Sequence, residues 1–410
     1  MSMCSVPSYR LAAGALALLC ITISAQADSL PELLVSGTIL LDVRDRYEHV
    51  QQQGFAKDAD AHTIRVRAGY QTGDFHDLKA LVELEATEHF SQAFNDGVNG
   101  RITFPTVSDP ENLELNRLQL AYSGLPDTTV TLGRQLINLD DQRFFGGSSF
   151  RQNQQTFDAI RFDYAGVPNL TATYFYSDRV NRVFGERSAV GHFDGDIHAF
   201  NAAYNFAGIG KAIGYVYLLD LRQSPALSTA TFGAQFSGSQ PLTADLTVRY
   251  SAGLAHQTGY ANNPLSYSVN YWRGELGLDY QGWSATGGIE TLGGTGAIGF
   301  STPLATLHAY QGYADVFLTT PARGVQDGYA KLAYQTTVQP FDTPWKASFA
   351  VWYHDFEFAR GTGSLGSEVD LETTMKFDDH WRADLAFAAY DGVPGFASRH
   401  KIWLAVSYAL

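Results

Sequence analysis

The sequence has almost no cysteine: of 410 residues, only Cys4 and Cys20 carry a thiol. Both lie in an N-terminal stretch typical of a secretory signal peptide, in which Arg10 precedes the apolar run LAAGALALLCITI and small residues in AQA offer a cleavage site. We therefore predict a signal peptide over residues 1–27 and a mature chain, 28–410, that leaves the cytoplasm. Because that chain has no cysteine, hydrogen bonds and packing must hold it together instead of disulfides.

Long apolar runs are also missing. After residue 27 no run approaches the roughly 18 to 20 residues that a transmembrane helix needs. Positive charge is scarce as well, with 28 Lys and Arg against 42 Asp and Glu, and the net charge of −14 argues against nucleic-acid binding. These absences leave open a soluble all-β protein or a transmembrane β-barrel, because barrel strands hide their apolar residues in alternation.

The sequence does contain long stretches in which apolar and polar residues alternate. In VSGTILLDVRDRYEH one set of positions is apolar (Val35, Ile39, Leu41, Val43, Tyr47) and the other is polar or charged (Thr38, Asp42, Arg44, Arg46, Glu48). A period of two over this length predicts strands, since a helix would scatter both sets around its circumference.

The same pattern predicts about eighteen strands, an even number as bacterial outer-membrane barrels require. Short turns such as TGDF, GLPD and GVPN take turns with long stretches (91–112, 137–154, 179–194 and 292–325). Short periplasmic turns and long extracellular loops produce this rhythm. A soluble β-sandwich or a propeller would not explain why the polar face is so rich in Arg, Glu and Asp. We therefore predict an all-β, antiparallel transmembrane barrel forming one domain, 28–410, in the bacterial outer membrane.

One long connection is unusually rich in functional side chains. The stretch LGRQLINLDDQRFFGGSSFRQNQQTFDAIRF combines arginines, amides, aspartates and phenylalanines, and it is too long for a hairpin turn. We predict that it folds against or into the barrel mouth, with Gly146 and Gly147 permitting a sharp turn and Phe144, Phe145 and Phe150 as anchors. Its polar side chains would then brace the wall or narrow a pore.

Four stretches, LDVRDRYEHV, HTIRVRAGYQTG, the loop sequence above and TPLATLHAYQGYADVFLTTPARGVQDGYAKLAY, resemble the alginate-export family of outer-membrane barrels. The resemblance implies eighteen strands around a narrow, arginine-lined passage through which a polyuronate leaves the cell. The family also has an extended periplasmic turn, whereas the corresponding connections here are short.

The resemblance and the strand parity together select the candidate site. The residues expected to line the passage are Arg44, Arg46, Arg65, Arg67, Arg134, Arg143, Arg151 and Arg161. The carboxylates expected to brace them are Asp42, Glu48, Glu83, Asp140, Asp141 and Asp158. Clustered arginines in a narrow polar pore attract anions. Each of them could equally be neutralised by a neighbouring carboxylate.

The main functional prediction is a channel for anionic polysaccharide or sugar acids, such as a polyuronate. The alternative is a general diffusion or uptake porin for small polar solutes. The 11 histidines are scattered and no G-x-S-x-G motif accompanies them, so we predict no enzyme activity, no metal site and no cofactor. The expected partners are outer-membrane lipid, the solute and, for export, a periplasmic secretion partner; a monomer is expected.

Overall fold

A computed structural model describes residues 35–340 and 343–410. The predicted signal peptide, 1–27, lies outside the described residues. The described chain forms a single sheet of eighteen strands. These strands are β1 Thr38–Gln52, β2 Ala59–Gln71, β3 Leu78–His89, β4 Asn112–Leu125, β5 Thr128–Gln135, β6 Thr156–Val167, β7 Leu170–Asn181, β8 His192–Phe206, β9 Gly210–Leu221, β10 Thr229–Pro241, β11 Leu246–Gly259, β12 Ser268–Tyr280, β13 Trp283–Leu292, β14 Val325–Val338, β15 Trp345–Glu357, β16 Ser364–Lys376, β17 Trp381–Asp391 and β18 Arg399–Ala409.

The sheet closes on itself. Each strand pairs antiparallel with its neighbours in sequence, and the last strand returns to the first with a register that runs from Asp42 opposite Ala409 to Gln52 opposite Arg399. Closure leaves no sheet edge unpaired, which a structure in lipid requires because the bilayer core supplies no hydrogen-bonding water. The predicted all-β barrel of about eighteen strands is confirmed.

The two faces of the barrel follow the sequence alternation. On β1 the side chain of Ile39 is 60 % exposed on the outer face, whereas Arg46 is 3 % exposed inside. On β18 the outward residues Ile402 and Leu404 are exposed, and Lys401 between β18's apolar positions is buried in the lumen. The outer face is therefore apolar and suited to lipid, and the interior is polar and charged.

Aromatic side chains gather on the outer face near the short turns. Trp283 and Tyr334 on β13 and β14 have ring centroids 4.6 Å apart, and Trp381 and Tyr408 on β17 and β18 are 5.0 Å apart. All four are located where a strand begins or ends at a short connection. Such a girdle is typical of the membrane–water interface, where an amphipathic ring contacts both phases.

The connections alternate in length as the sequence predicts. Two-residue turns at 126–127, 168–169 and 281–282 lie at one end of the barrel, and the 136–155 and 293–324 connections lie at the other. We call these the short-turn end and the long-loop end. Within the described residues, no helix is both long and apolar enough to cross a bilayer.

Candidate functional site

Two long connections fold into the lumen: the 136–155 loop between β5 and β6, and the 293–324 loop between β13 and β14. Phe145 and Leu304, one from each, are almost completely buried. The loops also join each other, since the Gly146 amide donates a 3.0 Å hydrogen bond to the Leu304 carbonyl. We call them the lumen loops. The prediction that the sequence around FFGG folds into the barrel rather than forming a hairpin turn agrees with this geometry.

The glycines of that loop act differently from the prediction. Neither Gly146 nor Gly147 has a positive φ; the left-handed positions are Asp140, Gln142 and Ser148, with φ of 53°, 64° and 50°. A Cβ on either glycine would instead collide with a neighbouring side chain of the packed loops. The glycines therefore allow close approach, and Asp and polar residues, which tolerate the left-handed region better than bulky ones, make the turns.

On one side of the lumen the loops pack as an ordinary core. Phe145 lies 4.9 Å from the ring of Tyr217 and 5.2 Å from that of Phe175. Next to it, Phe144 lies 5.1 Å from the ring of Tyr215. We call this region, where the lumen loops meet β7 to β13, the packed side. Its residues form one continuous buried cluster, so this part of the lumen is filled.

The packed side contains one buried ion pair. Arg143 Nε lies 2.7 Å from a Glu290 oxygen, and both side chains are 2 % exposed. The guanidinium also donates to Thr302 Oγ1 at 3.2 Å and lies over the ring of Tyr310 at 4.6 Å. Glu290 accepts a further 2.9 Å bond from the Tyr271 hydroxyl. Arg143 is therefore fully neutralised, and it braces the loop rather than lining an open passage.

The opposite side of the lumen carries a cluster of cations on three adjacent strands. We call it the basic wall, and it consists of Arg44 and Arg46 on β1, Arg65 and Arg67 on β2, and Arg399 and Lys401 on β18. The strands bring the cations together because Arg44 pairs with Arg65 across the β1–β2 ladder and Val50 pairs with Lys401 across β1–β18. Residues at alternate positions share one face, so all six belong to the lumen.

Two cavities lie along the basic wall. The larger, about 830 Å³, is at the short-turn end and is lined by four wall arginines together with Phe150 and His308 from the lumen loops. The smaller, about 410 Å³, lies at the rim of the long-loop end, where the outward-facing Gln51 and His400 line it together with Gln52 and Arg399. The wall thus borders the larger cavity through its β1 and β2 arginines and reaches the rim through Arg399.

Most wall arginines have a carboxylate partner. Arg65 binds Asp42 and Arg67 binds Glu85. Arg44 differs, because its guanidinium donates to neutral oxygens, including Gln152 Oε1 at 2.9 Å. Among the described residues no carboxylate oxygen lies within 4.0 Å of Arg44, so its charge is not cancelled by a direct pair.

Between the two cavities the 293–324 loop contacts the wall through Asp315. Its carboxylate lies 2.6 Å from Lys401 Nζ, 3.0 Å from Arg151 NH2 and 2.8 Å from His308 Nδ1. Burial alone would raise the pKa of Asp315. Lys401, His308 and Arg151 all lower it, and together they hold the pKa well below its ordinary value. Asp315 is therefore a buried anion in a site made by an ammonium, a guanidinium and an imidazole from three different elements.

Glu48 links the same contact to β1. Its carboxylate lies 3.0 Å from Arg46, 3.4 Å from Arg151 and 3.4 Å from Lys401. Arg46 also pairs with Asp109, which comes from the 90–111 connection. Glu48, predicted as a bracing carboxylate, thus pairs with Arg46 and Arg151, which were predicted to line the passage. Whether either arginine meets a solute stays a prediction.

Two predicted residues do not face the lumen. Arg134 and Asp158 pair with each other at 2.7 Å, but on β6 the neighbours of Asp158 that face the core are Phe157 and Ala159. Because side chains alternate, Asp158 and its ladder partner Arg134 project from the outer face near the long-loop end. A pore-lining role for Arg134 and a pore-bracing role for Asp158 are therefore corrected. Leu132 of the LGRQ sequence is 57 % exposed on the outer face, and Arg134, two residues further along the same strand, faces the same way.

The remaining predicted residues lie in the lumen but away from the basic wall. Arg161 pairs with Asp163 two residues along β6, at 2.8 Å. Asp140 accepts a 2.5 Å bond from Asn201, and Asp141 pairs with Arg273. Glu83 binds Arg117 at 2.6 Å. These carboxylates and Arg161 therefore satisfy local partners, and the structure does not bring them together with Arg44.

We call the meeting of Asp315 with Lys401, Arg151 and His308 the central contact. Sequence reasoning missed four residues that the structure brings to it. Arg399 and Lys401 have lumen parity in RHKIWLAVSYAL, so the alternation itself could have revealed them. Asp315 and His308 belong to the 293–324 loop, where no periodic pattern exists. Only the folded loop shows that they meet the wall.

No protein-family model matches this sequence, and no curated protein matches it significantly. Solved structures do match. OccAB3 of Acinetobacter baumannii superposes with a TM-score of 0.69 at 14 % identity, covering 92 % of this chain and 99 % of that one. OpdL of Pseudomonas aeruginosa gives 0.67 at 16 % identity, with the same two coverages, 92 % and 99 %. OpdK of Pseudomonas aeruginosa, solved with vanillate, gives 0.66 at 13 % identity, again covering 92 % and 99 %.

At these identities the likeness establishes the fold, which is that of bacterial outer-membrane porins. The neighbours are channel porins and not enzymes. They support an outer-membrane barrel of the porin type but do not support the alginate-export family, so the finer family assignment and polysaccharide export lack support.

Proposed function

We propose that this chain forms a channel in the outer membrane that admits small anionic or polar solutes, with carboxylates preferred. The observation that carries the proposal is the basic wall, whose four arginines on β1 and β2 border the larger cavity of the lumen. A cluster of cations in a polar, partly desolvated lumen lowers the energy of an anion there and raises its local concentration. Arg44, with no carboxylate partner among the described residues, is the clearest source of that surplus charge.

A small solute fits the lumen better than a polymer does. The packed side is filled by buried side chains. Beside the wall, Asp315 of the 293–324 loop contacts Lys401 and Arg151 and so occupies part of the remaining space. A polyuronate threading through would have to displace both lumen loops along its whole path. A single small carboxylate needs only to exchange partners locally, so uptake or diffusion of small solutes is favoured over polymer export.

The OpdK neighbour was solved with vanillate, an aromatic carboxylate. Rings also lie beside the central contact here: Phe150 stacks on His308 at 3.4 Å, and Trp403 lies 5.8 Å from Phe150. We therefore include small aromatic carboxylates among the proposed solutes, because an apolar ring can pack on these faces while its carboxylate meets a cation.

Ion selectivity in planar bilayers tests the proposal. We expect purified wild-type protein to conduct with anion preference, and vanillate to block the chloride current more strongly than the corresponding neutral alcohol. Arg44→Gln removes the unpaired charge without breaking an ion pair, so it should reduce anion preference. Arg134→Gln is the matched control, since this arginine pairs with Asp158 at 2.7 Å on the outer face, away from the cavity. Cation preference in the wild type would reject the proposal.

Polyuronate oligomers offer a separate test of polymer export. If export were the function, long oligomers should enter and block the channel at lower concentration than a single sugar acid, because they would occupy several sites at once. We expect the opposite order, with the smallest anion the most effective. We further propose that residues 1–27 are removed as a signal peptide and that the channel works as a monomer; mass spectrometry of the mature protein checks the first, and its mass in detergent checks the second.

A further inference from the structure

We infer that Asp315 occupies the channel's own carboxylate-binding site, and that a permeating carboxylate passes the narrow region by taking its place on Lys401 and Arg151. This inference rests on the proposed function, since it assigns the site at which a solute anion is held. It also makes the 293–324 loop a built-in competitor of the solute.

The contact has the composition of a carboxylate site. Asp315 is 7 % exposed and is held by an ammonium, a guanidinium and an imidazole at 2.6, 3.0 and 2.8 Å. Lys401 comes from β18, Arg151 from the 136–155 loop and His308 from the 293–324 loop. Charge-assisted bonds of this kind are the strongest that a carboxylate makes, and their geometry does not depend on whether it belongs to the chain or to a solute.

Charge counting shows why the site needs an anion. The linked ion pairs contain three cations, Arg46, Arg151 and Lys401, and three anions, Glu48, Asp109 and Asp315. The network is balanced only while Asp315 is present. If the loop withdrew, one buried cation would lose its counter-charge, which is costly unless another anion replaces it.

Two further cations increase that need. Arg399 donates to the carbonyls of Ala314 and Asp315 at 2.8 and 3.0 Å, and Arg44 donates to the carbonyl of Arg151. Within the described residues, neither guanidinium has a carboxylate oxygen within 4.0 Å. An anion that arrives at the central contact therefore meets a surplus of positive charge on both sides of Asp315.

The segment that carries Asp315 lies outside the strand ladders, with Ala314 and Phe317 packed in the buried cluster. Side chains bind its backbone: the Ala314 amide donates to Glu368 at 2.6 Å, and the Tyr313 amide donates to Asp370 at 3.2 Å. Asp315 itself has φ of 59°, a left-handed conformation that costs free energy in a non-glycine residue. Withdrawal of the segment breaks no strand ladder, so the barrel stays closed while the loop moves.

The position of the contact also fits exchange. Arg399 borders the cavity at the long-loop end, and His308 borders the cavity at the short-turn end. Asp315 contacts both residues, so it lies between the larger cavity and the end of the wall at the long-loop rim. A carboxylate that moves along the wall must therefore pass the cations that Asp315 now holds.

The test compares Asp315→Asn with wild type in planar bilayers, with benzoate as a blocker of the chloride current. The substitution removes the competing charge and keeps the side-chain shape. We expect benzoate to bind about tenfold more tightly or better, because apparent affinity rises with the fraction of channels whose site is free. Asp315→Glu, which keeps the charge, should stay near wild type, and Lys401→Gln should weaken block in both backgrounds.

Controls separate this inference from loop disruption and from the proposed function. Asp279→Asn removes a lumen carboxylate that pairs with Arg249 at 2.7 Å, away from the basic wall, and should leave benzoate block unchanged. Equal gains in permeability to benzoate and to a neutral sugar in Asp315→Asn would mean that the loop had simply come loose, and would overturn the inference. An anion-selective wild type with unaltered block in Asp315→Asn would overturn it too, while leaving the proposed function standing. A wild-type channel without anion preference would overturn both the inference and the proposed function.

Discussion

The packed side and the basic wall contact the same two lumen loops, yet they handle charge in opposite ways. On the packed side, Arg143 has one carboxylate, a hydroxyl and an aromatic face, and apolar rings surround the pair. At the wall, Arg44 donates to neutral oxygens, and Asp315 is shared among an ammonium, a guanidinium and an imidazole. One side satisfies its cation completely, and the other leaves charge for an anion to use.

The difference follows from how much apolar surface each side offers. Phe144 and Phe145 fill the space against β7 to β13, and burying two phenylalanines contributes roughly 3 to 6 kcal/mol in favour of the seated loop. At the wall, Arg and Gln side chains meet loop carbonyls, which water or a solute can replace at small net cost. The comparison shows that the packed side fixes the loops in place, and the wall is where function can vary without unseating them.

The largest effect should come from breaking the ion pair of the packed side. Glu290→Ala leaves Arg143 buried without its carboxylate, which typically costs about 3–5 kcal/mol. We expect the lumen loops to detach and single-channel conductance to rise severalfold, with ion preference less affected. Thermal unfolding and single-channel recording measure the two effects.

A double variant sharpens that result. Arg143→Met with Glu290→Leu removes both charges and keeps apolar volume, and such replacements are often neutral or stabilising. Recovery of the wild-type conductance would show that the pair acts as a structural anchor. If the double variant conducted as freely as Glu290→Ala, the pair would have a role beyond neutralising itself, and the contrast between the two sides would fail.

The next largest effect is expected at the wall. Arg44→Glu reverses an unpaired charge beside the larger cavity, and a change of about 1–2 kcal/mol in the energy of a permeating ion corresponds to a factor of roughly 5 to 30. We expect the anion-to-cation permeability ratio to decrease by a factor in that range, and the thermal stability of the barrel to stay nearly unchanged. Reversal potentials in a salt gradient measure the ratio. A large loss of stability would indicate that Arg44 anchors the loop as Arg143 does.

Acid should loosen the wall contact before it affects the packed side. Burial lowers the pKa of His308 despite the nearby Asp315, and Lys401 and Arg151 also lower it. A base whose pKa is lower in the seated loop destabilises that state once the pH falls below its ordinary value of about 6.5. Asp315 has a lowered pKa, so it stabilises the seated loop fully above its ordinary pKa of about 3.9. That stabilisation is lost as the pH falls from there through the lowered pKa.

Between pH 7 and pH 5 we therefore expect conductance to rise modestly as His308 becomes protonated in the open state. The measurement is single-channel conductance across that range at constant salt. His308→Gln should flatten the rise, since it removes the titrating group. A rise that persists unchanged in His308→Gln would assign the pH response to another group.

Most of the fold could be predicted from the sequence because barrel strands obey a local rule. Alternation along β1 places Arg44 and Arg46 inside and Ile39 outside, and no distant contact changes that. The inward position of the FFGG loop was also predictable, because its phenylalanines need burial and the loop is too long for a hairpin.

The central contact was not predictable in the same way. Asp315 and Lys401 are 86 residues apart, and their meeting depends on how the 293–324 loop crosses the lumen. Strand parity carries no information about a loop path. The resemblance failed at Arg134, because it assigned this residue by its place in an arginine-rich motif, whereas parity with Leu132 on the same strand places it on the outer face.

Arg134 supplies the smallest predicted effect and the reference for all the others. It pairs with Asp158 on the outer face, where both side chains are partly buried, and an ion pair near the surface contributes about 0–1 kcal/mol. Arg134→Ala should therefore leave conductance, ion preference and carboxylate block at wild-type values in planar bilayers. Any change in selectivity would mean that this guanidinium reaches the lumen, and would blur the distinction between arginines that brace the barrel and arginines that face the solute.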